Sequence, residues 1–498
     1  MYNEKAECGK LTPMLSDIGT HLDQFLEFSH TDAMSNAVEW KQRLSASLPE
    51  QGIGYQQVME QLATLVIPNG SAIPNPGCTS FITTGASNIA VLANLVGNVV
   101  SPQRVGLTAF NFLEEQSLQY LVEMFELPTA MKGIYSSGGS SANIVALGAA
   151  RQRAFEKMGI DPAADGMQGA TRIYATKTSH HTIQRAAAVL GLGRNSVVNI
   201  KCDSLGRMCL PDLHRQLAQD QHLDIVPIAI VATAGTTSTG MIDPLEQIGS
   251  LAKQFDIWFH VDGAYGLPGI LDPKIRHLYD GLKYADSVIV DPHKWLGAPV
   301  GIGATFVRDR TLLTRAFTQE ASDYFEGSFT DDNVQHSMDN MGVPYSEMGL
   351  ELSAPSRGVV VWAILMEIGK EGLKERICRH NEMARTIAKM AISDPNLELL
   401  QQPTLSICCF RYVANQDLDL NELNKRIHRQ LVQNGRNIPS TAIVNGQFAI
   451  RPCFIGAKTD SKHATDLVAE VLSIGKTIAQ QMSASDTTLK DLPHAQTV

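Results

Sequence analysis

The chain has 498 residues, which is more than one compact core usually organises, so we expect two or more domains. Its 41 basic and 51 acidic residues give a formal net charge of −10, with no basic cluster suited to a phosphate backbone, so nucleic acid is not an expected partner. Residues 1–11 lack the pattern of a signal peptide, and the apolar stretch "IAVLANLVGNVV" is too short to span a bilayer. We expect a soluble protein with no membrane partner.

Cysteine usage indicates a reducing compartment. The eight cysteines, which include the adjacent Cys408 and Cys409, contain no CxxC pair and are too sparse for a disulfide scaffold. We therefore expect free thiols and a cytoplasmic location.

The N-terminal part of the chain is helical in pattern. The stretches "MLSDIGTHLDQFLEF" and "YQQVMEQLATLV" place apolar residues three and four positions apart, which predicts amphipathic helices between residues 15 and 66. These helices have no sheet of their own to cover, so we expect them to pack across a two-fold axis in a homodimer. The following "IPNGSAIPNPGCTS" indicates an irregular connection.

From about residue 130, short β-branched runs alternate with helical patterns. The predicted strands are "RIYAT", "VVNIKC", "VPIAIVAT", "IWFHVD" and "SVIVD", with "GIGATFVRD" as a further candidate. Near-continuous apolar strands separated by helices are typical of a mostly parallel sheet covered on both faces.

The pattern changes again after residue 357, first to helix and then, over 398–470, to short strands mixed with helices. This mixture predicts a separate small α+β domain, and the polar end of the chain predicts a loose tail. The predicted divisions are an N-terminal helical segment 1–85, a large domain 86–370, a small C-terminal domain 371–480 and a flexible tail 481–498.

Polar residues at the predicted strand ends are candidate site residues, because ligands gather at the carboxyl ends of strands in open parallel sheets. Gly139 and Ser140 begin a helix whose free N–H groups suit a phosphate, although glycine and serine are also ordinary cap residues. The segment lacks the GxGxxG and GxxxxGK[ST] spacings, which argues against a dinucleotide, a nicotinamide dehydrogenase or a nucleoside triphosphate site.

Other strand ends carry an acid, a histidine pair, threonines and a lysine. Asp262 follows an apolar strand, where an aspartate is costly unless it meets a cation or serves as a cap. His180 with His181, and Thr236 with Thr237, stand at two further strand ends, where each has an ordinary structural explanation. Lys294, in "SVIVDPHKWLGAPVG", stands at the mouth of a buried strand and is either paired or chemically used. Taken together, these groups describe one ligand, a phosphorylated pyridine aldehyde.

These motifs resemble the group II pyridoxal-phosphate-dependent amino-acid decarboxylases, a family that includes the aromatic amino-acid and glutamate decarboxylases. The resemblance runs from about residue 75 to 470 and rests on "SSGGSSANIVALGAAR", "SHHTIQRA", "HVDGAYG" and "DPHKW" in compatible order. It implies an α/β fold of the fold-type-I transferase architecture, with a mostly parallel seven-stranded sheet in the large domain. It also implies pyridoxal 5'-phosphate as the cofactor and no metal ion.

The resemblance implies a role for each matching residue in the large domain. Lys294 is implied to bind the cofactor aldehyde with His293 as its companion, and Asp262 to pair with the pyridine nitrogen. Ala264 is implied as a small residue against the ring, and His180, rather than its neighbour, as the histidine on the ring face.

The remaining implied residues lie around the phosphate and the substrate. Gly139 and Ser140 match the phosphate position and Thr237 lies near the cofactor. Tyr324 matches the catalytic tyrosine of a mobile loop, and Arg451 matches a position that binds substrate carboxylate in some members.

Three departures from the family pattern are visible. Asp291 stands where many members have asparagine, and Gly263 replaces the usual alanine. The segment "NPGCTSFITTGASN" is smaller and more polar than the family's aromatic-rich counterpart, which argues against an aromatic substrate.

The implied reaction is decarboxylation of an L-amino acid to its amine and CO2. Two alternatives stay open: another reaction on the same cofactor, such as oxidative aldehyde formation, transamination or carbon–carbon cleavage, and a catalytically silent homologue kept for binding. Tyr324 favours simple decarboxylation, while the joint presence of Lys294, Asp262 and His180 argues against a silent homologue.

Overall fold

The computed structural model describes residues 10–28, 37–45, 47–104, 106–318, 342–414 and 418–490. The N-terminal elements are helices α1 (Leu11–Phe25), α2 (Ala37–Leu44) and α3 (Gly54–Gln61), strand β1 (Cys78–Thr79), and helices α4 (Asn88–Val100) and α5 (Ala109–Met124). None of the residues of α1, α2 and α3 is buried within the chain. Their predicted apolar faces therefore stay at least partly exposed in this subunit.

The middle of the chain alternates strands with helices, as the sequence predicts. Its elements are β2 (Lys132–Ser136), α6 (Gly139–Glu156), β3 (Ala170–Thr176), α7 (Thr182–Val189), β4 (Val197–Ile200), α8 (Leu210–Asp220), β5 (Ile225–Thr233), α9 (Leu245–Gln254), β6 (Trp258–Asp262), β7 (Ser287–Val290), β8 (Gly303–Val307) and α10 (Thr311–Phe317).

These strands form one seven-stranded sheet in the order β2-β8-β7-β6-β5-β3-β4. Only β8 runs against its neighbours, so the predicted mostly parallel sheet is confirmed. Strands β6 and β7 are buried along their whole length, which explains their near-continuous apolar sequences. The register pairs Thr233 with Asp262 and Asp262 with Ile289, so the carboxyl ends of β5, β6 and β7 meet at one edge.

The C-terminal part contains the long helix α11 (Gly358–Ser393), interrupted at Gly369, where φ is +64°. It is followed by β9 (Leu397–Gln401), β10 (Cys409–Tyr412), α12 (Leu420–Asn434), β11 (Ile438–Val444), β12 (Gln447–Arg451) and α13 (Ser461–Lys490). The strands form a five-stranded sheet in the order β1-β11-β12-β10-β9. The smaller C-terminal α+β part of the prediction is thus confirmed.

Two local features differ from the expectations. The supposed irregular connection after residue 66 contains β1, which pairs in parallel with β11 and so joins the N-terminal segment to the C-terminal sheet. The supposed loose tail begins inside α13, which continues to Lys490. The domain boundaries themselves stay a prediction.

No helix in the described part of the chain has the length and apolarity needed to cross a membrane. The cysteines that the structure describes all carry free thiols.

Candidate active site

A cavity of about 310 Å³ opens at the carboxyl ends of the parallel strands, beside the N-terminus of α6. Most of the residues predicted from the sequence line it: Gly139, Ser140, His180, Thr237, Asp262, Ala264, His293 and Lys294. Residues that are far apart along the chain therefore converge because their strands end at one edge of the sheet.

The glycines at the start of α6 let the side chains of Asp291 and His293 approach the backbone closely. Gly138 has a φ of +123°, a backbone conformation that favours glycine, and Gly139 begins the helix. A Cβ atom on Gly139 would lie 2.7 Å from Asp291 Oδ2, and one on Gly138 would lie 3.2 Å from His293 Cε1. Because the first N–H groups of a helix have no intrahelical acceptor, this bare surface suits an anion.

Asp262 is the last residue of β6, and its carboxylate is held from two sides. Its Oδ1 accepts a hydrogen bond from the Ala264 backbone N–H (3.1 Å), and its Oδ2 accepts one from Asn143 Nδ2 (3.2 Å). The residue is only 5% exposed and forms no ion pair with any residue that the structure describes. A buried carboxylate without an ion-pair partner is costly, so Asp262 suits a ligand that brings positive charge.

His180 lies between the end of β3 and the start of α7. Its Nδ1 is 2.9 Å from Thr182 Oγ1, and its ring centroid is 4.2 Å from that of His181. Burial lowers the pKa of His180 below its usual value, while the charge of Asp262 acts in the opposite direction. His180 lines the cavity and His181 is exposed, so the two histidines of the motif occupy different environments.

Lys294 is paired with the acid of its own motif. Its Nζ lies 3.1 Å from Asp291 Oδ2, and the lysine side chain is 20% exposed whereas that of Asp291 is 2% exposed. His293 Nε2 is 3.7 Å from the same oxygen, and His293 Nδ1 donates to the backbone oxygen of Ile302 (2.7 Å). The lysine at the mouth of β7 thus has an ion-pair partner and also faces the cavity.

Two predicted residues are not brought to the cavity wall. Arg451, at the end of β12, is buried behind the wall, and its Nε and Nη1 have no hydrogen-bond partner among the described residues. Burial raises the pKa of the Cys453 thiol to about 11, while the nearby charges of Arg451 and Lys294 act in the opposite direction. Tyr324 lies outside the described residues.

Sequence reasoning missed several polar residues of the site, of which Asn143 and Thr182 are connected to predicted site residues by hydrogen bonds. Asn143 lines the cavity from α6, and Thr182 connects it to His180 through hydrogen bonds. The available signal was the position of Asn143, a single polar residue within the apolar run of "ANIVALGAA". A buried amide in such a run needs partners, and here they are catalytic candidates.

The donor set fits pyridoxal phosphate. A bare helix N-terminus suits the phosphate, a buried carboxylate suits a protonated ring nitrogen, and a lysine amine facing the cavity suits the aldehyde. No group of three metal-ligating side chains occurs within the described ranges.

Comparisons with known proteins agree with this chemistry. The family model for the pyridoxal-dependent decarboxylase conserved domain matches residues 38–413, well over half of the chain. An aromatic-L-amino-acid decarboxylase of Bacillus atrophaeus is 26% identical over 451 residues, covering 89% of this chain and 90% of that protein. A phenylacetaldehyde synthase of a Rosa hybrid cultivar is 26% identical over 447 residues, covering 86% of this chain and 85% of that protein.

Among solved structures, mouse CSAD superposes with a TM-score of 0.82 at 24% identity, covering 94% of this chain and 99% of that one. This likeness confirms the expected fold-type-I architecture. The chain therefore belongs to the pyridoxal-dependent decarboxylase family, is a carboxy-lyase of group II and uses pyridoxal 5'-phosphate as its cofactor.

Proposed function

We propose that this protein decarboxylates an L-amino acid to the corresponding amine and CO2, with Lys294, Asp262 and His180 as its central residues. The observation that carries this proposal is the convergence of Lys294 and the buried Asp262 on one cavity beside the bare N-terminus of α6. When bound, pyridoxal phosphate supplies an aldehyde that takes up the substrate amine and a ring that accepts the electron pair left on the α-carbon.

Asp262 holds a proton at the ring nitrogen. Its carboxylate is buried and fixed by two donors, so it stabilises positive charge there far more strongly than a carboxylate in water would. His180 and Ala264 line the cavity, so His180 would lie against the ring and the small side chain of Ala264 would leave space for it. Gly139 and Ser140 bind the phosphate, with Thr237 close to the cofactor.

Lys294 holds the cofactor until the substrate arrives and then holds a proton at Nζ. Asp291 Oδ2, 3.1 Å away, keeps the amine at the cavity wall. Once CO2 has left, Lys294 or His293 can deliver a proton to the α-carbon and complete the amine.

The substrate side of the proposal rests on Arg451 and on the N-terminal segment. Arg451 is buried with unpaired guanidinium nitrogens, which supports a role in binding the carboxylate of the substrate. The small and polar segment around Thr84 packs close to the loop that carries Lys294, since Ser87 N–H donates to the Gly297 oxygen (2.9 Å). The small and polar character of this segment favours a substrate smaller or more polar than an aromatic amino acid.

A homodimer is part of the proposal. Apolar side chains are exposed on one subunit along α1 and α4, namely Leu11, Leu15 and Leu22 on α1 and Val91, Leu92, Val96, Val99 and Val100 on α4. A second copy of the chain would cover such faces across a two-fold axis. Sedimentation should give a dimer for the wild type and a monomer for the double variant Leu92→Asp with Val96→Asp. An active wild-type monomer at micromolar concentration would contradict this part of the proposal.

Aldehyde formation on the same cofactor is the second candidate, because some relatives, such as the phenylacetaldehyde synthase, are named as aldehyde synthases. Tyr324, whose role rests on the resemblance alone, bears on this choice. If it donates the proton to the α-carbon, Tyr324→Phe should shift the product in air from amine towards aldehyde. Amine as the sole product at a normal rate would exclude Tyr324 as the donor.

The test of the main proposal is a screen for CO2 release across the proteinogenic amino acids and cysteine sulfinate. We expect release from at least one substrate with the wild type and none above background with Lys294→Ala. Lys294→Arg should be equally inactive, because the guanidinium stays protonated and cannot bind the aldehyde. A wild type that binds pyridoxal phosphate yet releases CO2 from none of these compounds would favour a silent homologue.

A further inference from the structure

The side chain of Asn143 connects three buried groups at the inner wall of the cavity. Its Nδ2 donates to Asp262 Oδ2 (3.2 Å) and to Thr182 Oγ1 (3.1 Å), and its Oδ1 lies 2.9 Å from His260 Nε2. The reverse orientation of this amide would turn its oxygen towards the Asp262 carboxylate, where two acceptors would repel each other. The hydrogen bond to Asp262 Oδ2 therefore depends on the orientation of the Asn143 amide.

The contact with Asn143 determines where His260 carries its proton. Because Asn143 Oδ1 can only accept, His260 Nε2 must donate. His260 Nδ1 is then the acceptor for the hydroxyl of Ser287 (2.8 Å), whose oxygen in turn accepts from Trp258 Nε1 (2.7 Å). A neutral imidazole satisfies every contact, and burial lowers the pKa of His260 to about 4, so the ring is neutral at pH 7.

The second hydrogen of the Asn143 amide connects it, through Thr182, to His180, the histidine predicted on the ring face. Thr182 Oγ1 accepts from Asn143, which leaves its own hydrogen for His180 Nδ1 (2.9 Å). A neutral His180 then carries its proton at Nε2. One amide orientation thus sets the hydrogen bonds of Asp262 and of His180 together.

We propose that His260 is a positioning residue that holds the Asn143 amide in the orientation that presents the Asp262 carboxylate to the ring nitrogen of pyridoxal phosphate. His260 lies on β6 two residues before Asp262, is fully buried and does not line the cavity, and the site residue to which its side chain is hydrogen-bonded is Asn143. Without a donor at position 260, the amide loses one of the three contacts that fix it, and the partner of the Asp262 carboxylate is held less firmly. This inference rests on the proposed role of Asp262.

The experiment compares two ligands on the full-length protein stripped of its cofactor. Dissociation constants are measured for pyridoxal phosphate and for an analogue in which C–H replaces the ring nitrogen. The wild type should prefer pyridoxal phosphate, because only that ligand meets Asp262 through its ring nitrogen. His260→Leu should reduce the preference about tenfold, the effect of one lost buried hydrogen bond. His260→Gln should restore most of it, because the glutamine amide can donate to Asn143.

His380→Leu is the matched control, since it makes the same change at a second fully buried histidine whose Nδ1 contacts Trp295 instead of the site. It should lower the melting temperature while the ligand preference stays unchanged. If His260→Leu does not fold, Ser287→Ala serves in its place, because it removes the hydroxyl that fixes the His260 ring. That variant should reduce the preference about threefold, a part of one hydrogen bond.

The outcomes distinguish the proposed role of Asp262 from the positioning role of His260. Asp262→Asn should abolish the ligand preference, and its persistence there would overturn the proposed role of Asp262 itself. If Asp262→Asn abolishes the preference while the folded His260→Leu or Ser287→Ala retains the wild-type value, only the positioning role of His260 is refuted.

Discussion

The ends of β6 and β12 differ in how completely their buried charged side chains, Asp262 and Arg451, are paired. On the side of the seven-stranded sheet, Asp262 and Asn143 have their hydrogen-bond partners within the chain. On the side of the five-stranded sheet, buried Arg451 leaves two guanidinium nitrogens without a partner among the described residues. The hydrogen bonds of Asp262 and Asn143, which form the paired wall, are made before any ligand arrives. The unpaired Arg451 cation gains a partner only when a ligand binds. We infer that Asp262 and its partners serve the permanent cofactor, whereas Arg451 serves the transient substrate.

Breaking the paired wall should have the largest effect. Asp262→Asn removes the anion that stabilises a protonated ring, so we expect turnover to fall at least about 10²-fold while pyridoxal phosphate still binds. Steady-state kinetics at saturating cofactor, with absorbance to confirm occupancy, make the measurement. Asp243→Asn, which alters another buried carboxylate in the connection between β5 and α9, is the control. An unchanged turnover in Asp262→Asn would place the ring elsewhere.

Removing the unpaired cation should separate substrate binding from stability. Arg451→Met should raise KM about tenfold, because a charge-assisted hydrogen bond to the substrate is lost. The ligand-free protein should melt at the same or a higher temperature, because a buried cation without a partner is costly. Arg411→Met is the contrasting control, since Arg411 is paired with Glu398 (2.7 Å) and its loss should lower the melting temperature. A lower melting temperature with unchanged KM in Arg451→Met would assign that residue to structure.

The smallest expected effect concerns pH and the buried histidines. Burial lowers the pKa of His260 to about 4 and that of His380 to about 3, whereas unfolded histidine titrates near 6.5. The unfolded chain therefore binds more protons than the native protein below about pH 6.5, so these groups make stability fall as pH falls towards 4. Burial raises the pKa of Asp243 to about 6, so this carboxyl acts in the opposite direction between pH 6 and about 4.

Urea unfolding at several pH values isolates one of these groups. His380→Gln keeps an acceptor for Trp295 but does not titrate, so its stability should depend on pH less steeply than that of the wild type, by up to about 1.4 kcal/mol per pH unit. Identical slopes for the two proteins would mean that His380 does not titrate between the folded and unfolded states as described.

The sequence predicts the residues that face the cavity better than the buried residues that hold them in place. Lys294, Asp262 and His180 are recognisable because each is a polar residue at the end of an apolar strand, where parallel sheets bind ligands. Asn143 and His260 lie inside apolar runs of a helix and a strand, and the residue type alone does not say which partner such a buried group meets. Their hydrogen bond depends on how α6 packs across β6, and no local sequence pattern indicates that packing.

The placement of β1 shows the same limit in the fold. Two residues carry no periodicity, and their partners on β11 are distant in the chain, so no local pattern indicates the pairing. Arg451 was predicted from the resemblance, but its unpaired state depends on the packing of the small sheet around it.

The contact between β1 and β11 also bears on how this protein can be divided or rebuilt. Cys78 pairs with Ile438, and the hydroxyl of Ser80 donates to the Ile438 oxygen (2.6 Å). The N-terminal strand β1 therefore forms one edge of the C-terminal five-stranded sheet. A C-terminal fragment expressed alone would expose the backbone N–H and C=O groups of β11, and open strand edges of that kind recruit other chains. A soluble fragment of the C-terminal part would therefore need the segment around β1 supplied as a peptide or fused by circular permutation.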